Sequence, residues 1–220
     1  MRLIRSSWAA VLAFALACPL LASGQTATPE QLWRQLTAGN GRFVAGTLTF
    51  RDLARKRGES AGHQSPPVSV LSCADSRVPP ELVFDHSINQ LFVVRVAGTI
   101  ADPFDIASLE YAVAHGWTKL IVVMGHSQCG AVTAALKTTD PSTPSLVALV
   151  QRIRESFDGI PRTNSPTAAE LRRAIEANTR FTARYLVDHS SVLRDAVAKK
   201  QVEIVPAYYD VASGKVERLR

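Results

Sequence analysis

Four short strand-like runs constrain this chain most: Val68–Ser72, Leu91–Val96, Leu120–Met124 and Gln201–Tyr208. Runs of this length, bounded by Gly, Pro and polar residues, suit buried strands and are too short for helices. Between and around them lie helical patterns at Asp105–His115, Ala131–Leu136, Ser145–Phe157 and Thr167–Lys200, the last with a break near Asp188-His189-Ser190. Strands alternating with helices specify an α/β fold, with a mostly parallel central sheet flanked by helices. Gly214 turns the chain into a short last strand, Lys215–Leu219, which makes four core strands plus one C-terminal strand. No internal repeat is visible.

The N-terminal half has its own punctuation. Thr28-Pro29-Glu30 opens a helix, with Thr as N-cap, Pro in the first position and Glu in the first turn. Leu32, Trp33 and Leu36 mark its apolar side, and Gly39-Asn40-Gly41 interrupts it before Phe43 and Val44 resume. This N-terminal helical arm packs either on a partner subunit or within its own chain. Residues 51–64 are polar and read as a solvated helix and loop, and Gln64-Ser65-Pro66-Pro67 leads stiffly into the first strand. Pro79 and Pro80 start a helical turn.

Residues 1–24 read as a secretory signal peptide: Arg2 and Arg5, an apolar run from Trp8 to Ala22, then small residues at Ala22-Ser23-Gly24. The apolar run is short for a membrane anchor, which needs about 20 residues. Cleavage leaves roughly 196 residues, enough for one domain, 25–220, with a good core. The expected location is the periplasm or the cell exterior. Cleavage removes Cys18 and leaves only Cys73 and Cys129 of the three cysteines. Loss of Arg2 and Arg5 lowers the formal charge from +6 to +4. That mild, dispersed surplus, with no basic block interleaved with aromatics, does not suggest nucleic acid. No other stretch suits a membrane span.

The chemistry-bearing residues follow the strands. Cys73 comes directly after the first run, and His126-Ser127-Gln128-Cys129 after the third. In a parallel sheet ligands gather beyond the carboxyl ends of the strands, so both segments reach one rim. Two cysteines in an exported chain admit a disulfide. A metal is the other reading. His126, Cys129 and Cys73 make three Zn²⁺ ligands, and three with an open fourth position describe a catalytic rather than a structural zinc. Asp75 and Arg77 alternate toward the same rim, where Arg77 can hold the carboxylate with a forked pair of hydrogen bonds. Asp75 then either closes the site as a fourth ligand, or pairs with Arg77 and orients a group on the metal, or the two form a plain loop ion pair. Gly130 lets the backbone approach closely and can present an N–H to a developing anion. Cys129, near a helix start, is favoured as thiolate.

Cys73-Ala-Asp-Ser-Arg77 with Gly125-His-Ser-Gln-Cys-Gly-Ala131 resembles the β-class carbonic anhydrases. Arg77-Val-Pro-Pro-Glu81, Phe92-Val-Val-Arg-Val-Ala-Gly98, Ser108-Leu-Glu-Tyr-Ala-Val113 and Ala207-Tyr-Tyr-Asp210 agree, and the likeness runs from about Pro29 to the C-terminus. The resemblance implies zinc on Cys73, His126 and Cys129, with the Asp75–Arg77 dyad beside it. It implies reversible hydration of CO₂ to bicarbonate and a proton by zinc-bound hydroxide, in a homodimer or a tetramer of paired dimers with sites at the subunit interface. In the plant-like branch a Gln, a Phe and a Tyr line the CO₂ pocket, the Gln reaching across the dimer. Gln64, Phe92 and Tyr111 match them. The bicarbonate-inhibited branch has a Trp where this chain has Val70, so an open site without that switch is expected. Thr99 stands where the family often has Asn, with little effect expected on the metal. His86, His115 and His189 are the imidazoles available to carry protons, and none is singled out. Two alternatives remain: a sibling hydrolase of CS₂ or COS on the same zinc site, and a zinc-free binding module with Cys73 and Cys129 in a disulfide.

Overall fold

A computed structural model describes residues 27–49 and 52–220. The expected signal peptide, with Cys18, lies outside the described residues. The elements are α1 (Pro29–Val44), α2 (Leu53–Glu59), β1 (Val68–Ser72), α3 (Pro80–Val83), β2 (Leu91–Arg95), α4 (Pro103–Ala114), β3 (Leu120–His126), α5 (Gly130–Leu136), α6 (Pro144–Arg154), α7 (Ala168–His189), α8 (Ser191–Ala198), β4 (Glu203–Tyr209) and β5 (Val216–Arg218). A single 3₁₀ turn, Ala97–Thr99, follows β2. Among the described residues, five strands lie in the order β2-β1-β3-β4-β5. All neighbours are parallel except β4 and β5.

β3 is the spine, buried at every position. Its alternate side chains enter opposite layers, as the two-residue period of a strand demands. Leu120, Val122 and Met124 pack with Val68, Val70, Leu36 and Phe84 beneath α1 and α3. Ile121 and Val123 pack with Leu71, Leu109, Leu186 and Leu193 beneath α4, α7 and α8. α5 and α6 enclose a further cluster, Val132, Leu136, Val150 and Ile153, that includes both cysteines. No helix among the described residues is long and apolar enough to cross a membrane.

Three elements depart from the sequence expectation. First, α1 does not stop at Gly39-Asn40-Gly41 but runs on to Val44. The apparent breakers are its contact surface. A Cβ on Gly39 would lie 1.8 Å from the Phe84 carbonyl oxygen. Asn40 is buried, donating to Val83 O at 3.0 Å and Gly214 O at 2.8 Å and accepting from Val216 N at 2.9 Å. The helix packs on its own domain, with Leu32 and Leu36 in the core and Trp33 and Phe43 against it. Second, β2 is half-buried rather than fully buried, because it is the sheet edge and lacks a neighbour on one side. Third, α4 does not bury all its apolar residues: Tyr111 is 50% exposed, while Ile106, Leu109 and Ala112 face in. The break between α7 and α8 falls at Ser190, whose Oγ accepts from Leu193 N at 3.0 Å and donates to Glu110 at 2.6 Å.

Candidate metal centre

The chain leaves β1 toward β2 on one side, then crosses to β3 on the other. The sheet's direction of growth therefore reverses between β1 and β3, where open α/β sheets leave a crevice at the carboxyl ends of the strands. Cys73 is the first residue after β1. His126 is the last residue of β3. Ser127 and Gln128 make the turn, with Gln128 left-handed at φ +57°, and Cys129 caps α5. Cys73, His126 and Cys129 are all buried, and their ligand atoms lie within 4.8 Å of one another. Both cysteines are free thiols, not a disulfide.

These residues fit a metal ion. His126 Nδ1 lies 2.9 Å from the Ser127 carbonyl, which can only accept, so Nδ1 carries the proton and Nε2 the lone pair. That Nε2 is buried and has no hydrogen-bond partner. A buried acceptor left so costs about 1–3 kcal/mol, and a cation relieves it. The sulfurs pose the complementary problem. The Cys129 thiol beside it and the N–H groups of Gly98 at 3.3 Å and Asp75 at 3.4 Å hold Cys73 low. Cys129 is pushed up by its hydrogen bond to Cys73 and by burial. Two adjacent buried sulfurs cannot both ionise unless a cation sits between them. Two thiolates and an imidazole are the donor set that suits Zn²⁺.

Asp75 stands at the edge of this cluster, its Oδ2 4.0 Å from His126 Nε2. Arg77 grips it with Nε at 2.9 Å and Nη2 at 2.7 Å, and the Arg77 backbone N–H adds a third bond at 3.0 Å. The guanidinium holds the carboxyl well below the usual carboxylate range. Of the two states open to Asp75 beside a metal, the structure has the Arg77-paired one. Arg77 Nη2 also reaches Gln128 O at 3.2 Å, tying the first ligand turn to the second.

Arg95 escaped the sequence reading. It ends β2 and donates to Cys73 O at 3.0 Å and Asp75 O at 2.6 Å, bracing the loop that carries both. A charged residue closing an apolar strand at the site rim was the signal. A Cβ on Gly130 would meet nothing within 4 Å, so the space in front of it is open. The close approach belongs to Gly125, where a Cβ would lie 2.1 Å from Thr179 Oγ1 of α7. Thr99 is left-handed, at φ +54°, and its hydroxyl donates to Met124 O at 3.2 Å.

Gln64, Phe92 and Tyr111 are not brought to this centre within one chain. Gln64 precedes β1, on the opposite rim, so the length of that strand, about 15 Å, separates it from Cys73. Phe92 pairs with Ser69, three residues short of the carboxyl end of β2. Tyr111 lies near the far end of α4, its ring against His115 and Trp117. His86, His115 and His189 each turn Nδ1 to a backbone carbonyl of their own segment and take no part in the cluster.

The chain matches the family model described as carbonic anhydrase over residues 68–216. Carbonic anhydrase 2 of Mycobacterium tuberculosis is 35% identical over 197 residues, which cover 85% of this chain and 91% of that protein. The carbonic anhydrase of Mycolicibacterium smegmatis is 34% identical over 198 residues, 86% of this chain and 92% of that one. Among solved structures, the Coccomyxa β-carbonic anhydrase in complex with acetazolamide superposes with a TM-score of 0.68 at 27% identity, covering 76% of this chain and 77% of its own. A tetrameric β-carbonic anhydrase of Sordaria macrospora gives 0.62 at 26% identity, over 76% of this chain and 90% of its own.

Proposed function

The chain belongs to the β-carbonic anhydrases, and from that premise we propose that it catalyses reversible hydration of CO₂ to bicarbonate and a proton on one zinc ion held by Cys73, His126 and Cys129. The observation that carries this reading is the buried trio of donor atoms within 4.8 Å, one of them, His126 Nε2, without a protein partner. When bound, zinc acidifies a coordinated water so that a hydroxide nucleophile exists near neutral pH.

The rest of the work falls to this chain's own groups. Asp75, kept ionised by Arg77, can only accept a hydrogen bond, so it would orient a protic group beside it with the lone pair toward the substrate. The same fork occupies both carboxylate oxygens and holds Asp75 back from ligation. Gly130 leaves a small linear molecule room in front of the ligands. Gln64, Phe92 and Tyr111 line the CO₂ pocket of a partner subunit, since each lies on the far rim of its own chain. That requirement makes the working unit a homodimer, or a tetramer built from such dimers. The basic, apolar leader at residues 1–24 directs the enzyme to the periplasm or out of the cell.

The test is zinc content together with CO₂ hydration, on protein purified without added metal. About one zinc per chain and rapid hydration are expected, and Cys73→Ala or His126→Ala should abolish both. A metal-free wild type, or one that loads zinc yet leaves CO₂ untouched, would overturn the assignment.

A further inference from the structure

The 3₁₀ turn after β2 reaches the candidate metal centre through its backbone. Gly98 and Thr99 are successive left-handed residues, at φ +78° and +54°. That conformation is natural for Gly and strained for a β-branched residue, so something outside the turn must hold it. The turn has no slack: a Cβ on Gly98 would lie 2.6 Å from Ile153 Cδ1. So placed, the Gly98 N–H lies 3.3 Å from Cys73 Sγ. Two side chains pin the turn from elsewhere. Thr99 Oγ1 donates to Met124 O on β3 at 3.2 Å. Asn178, on α7 and 2% exposed, donates from Nδ2 to Gly98 O at 2.7 Å. The amide orientation is unambiguous, because a carbonyl demands a donor. Asn178 Oδ1 is left buried without a partner, so the side chain is spent on this one donation.

The Gly98 N–H and the Gly98 carbonyl belong to adjacent peptide planes. Asn178 therefore acts by fixing how Gly98 is turned, not by polarising the N–H directly. We propose that Asn178 is a positioning residue of the metal centre: it locks the left-handed Gly98 turn and so keeps a backbone N–H on the Cys73 sulfur, setting how strongly Cys73 donates to the metal. This rests on the reading of Cys73, His126 and Cys129 as ligands. Partners of ligating groups ordinarily tune affinity and ligand electronics.

The experiment uses the full chain with cobalt(II) in place of zinc, and compares wild type with Asn178→Ala and Asn178→Leu, the second of which keeps the side-chain volume. Leu186→Ala, two turns along α7 and fully buried, is the control that loosens the helix without touching the turn. Losing the N–H···S bond raises the sulfur lone pairs, so the cysteinate-to-cobalt charge-transfer band should move to longer wavelength in both Asn178 variants. Zinc affinity, measured by competition with a chromophoric chelator, should fall by about 10–100-fold. Leu186→Ala should lower the thermal midpoint and move neither readout. Asn178 variants that fold with an unshifted band and wild-type affinity would overturn the proposal, as would an equal shift in Leu186→Ala. A wild type with no cysteinate–cobalt band would bring down the functional reading itself, an outcome distinct from the other two.

Discussion

Asp75 carries the residue-scale expectation that separates chemistry from metal binding. Asp75→Asn keeps zinc but should slow CO₂ hydration by about 10–100-fold, because an amide can offer its N–H where an acceptor is required. Stopped-flow hydration beside metal analysis checks this, and undiminished turnover would remove the orienting role. Arg77 depresses the Asp75 carboxyl. A depressed carboxyl contributes stability that is present above its unfolded pKa of about 3.9 and lost as the pH falls through the folded value. The Asp75–Arg77 pair therefore persists at every pH above about 4, and the activity deficit of Asp75→Asn should stay constant from about pH 5 to about pH 9. Arg95→Ala, which frees the Cys73–Asp75 loop, should weaken zinc binding by about ten-fold or more in a chelator competition. That Cys73, His126 and Cys129 form one cluster was legible in the sequence, because their residue types and their places after two strands point to one rim. Arg95 was not, because its partners are backbone carbonyls 20 and 22 residues away, which leave no mark on residue type.

Among the elements, α1 shows where local propensity misleads. By propensity alone, Gly39→Ala in a helix should stabilise by about 1 kcal/mol. Here the added Cβ would lie 1.8 Å from a backbone oxygen of Phe84, which cannot rotate away. The substitution should instead destabilise by about 1–3 kcal/mol, the usual cost of overpacking. A urea titration gives the sign directly, and a more stable variant would show that α1 is free to shift. The strands and most helix limits could be read from apolar runs, caps and prolines: β1 falls where expected, and Thr28 forms its cap. The continuation of α1 through Gly39-Asn40-Gly41 could not, since it depends on α3 and the β5 segment arriving from far along the chain.

Across the whole molecule, one flank is unfinished. β2 is a half-buried edge, and beside it α4 exposes Phe104 at 83% and Tyr111 at 50%. Gln64, Phe92 and Tyr111 sit toward the rim away from their own chain's Cys73, His126 and Cys129. The protein should therefore sediment as a dimer or larger. Phe104→Glu should shift it toward monomer and lower kcat/KM while leaving about one zinc per chain. Analytical ultracentrifugation with metal analysis tests this, and a fully active monomer would mean that each chain completes its own pocket.

Residue order along the chain was enough to determine the α/β alternation, the positions of the strands and the three side chains that meet in the candidate metal centre, because hydrophobic period and residue chemistry are local properties. Which side of β1 each later strand joins, which turn aims an N–H at Cys73, and which rim holds Gln64, Phe92 and Tyr111 were decided only in three dimensions. Those choices depend on segments tens of residues apart meeting across the sheet, and no local pattern encodes such a meeting.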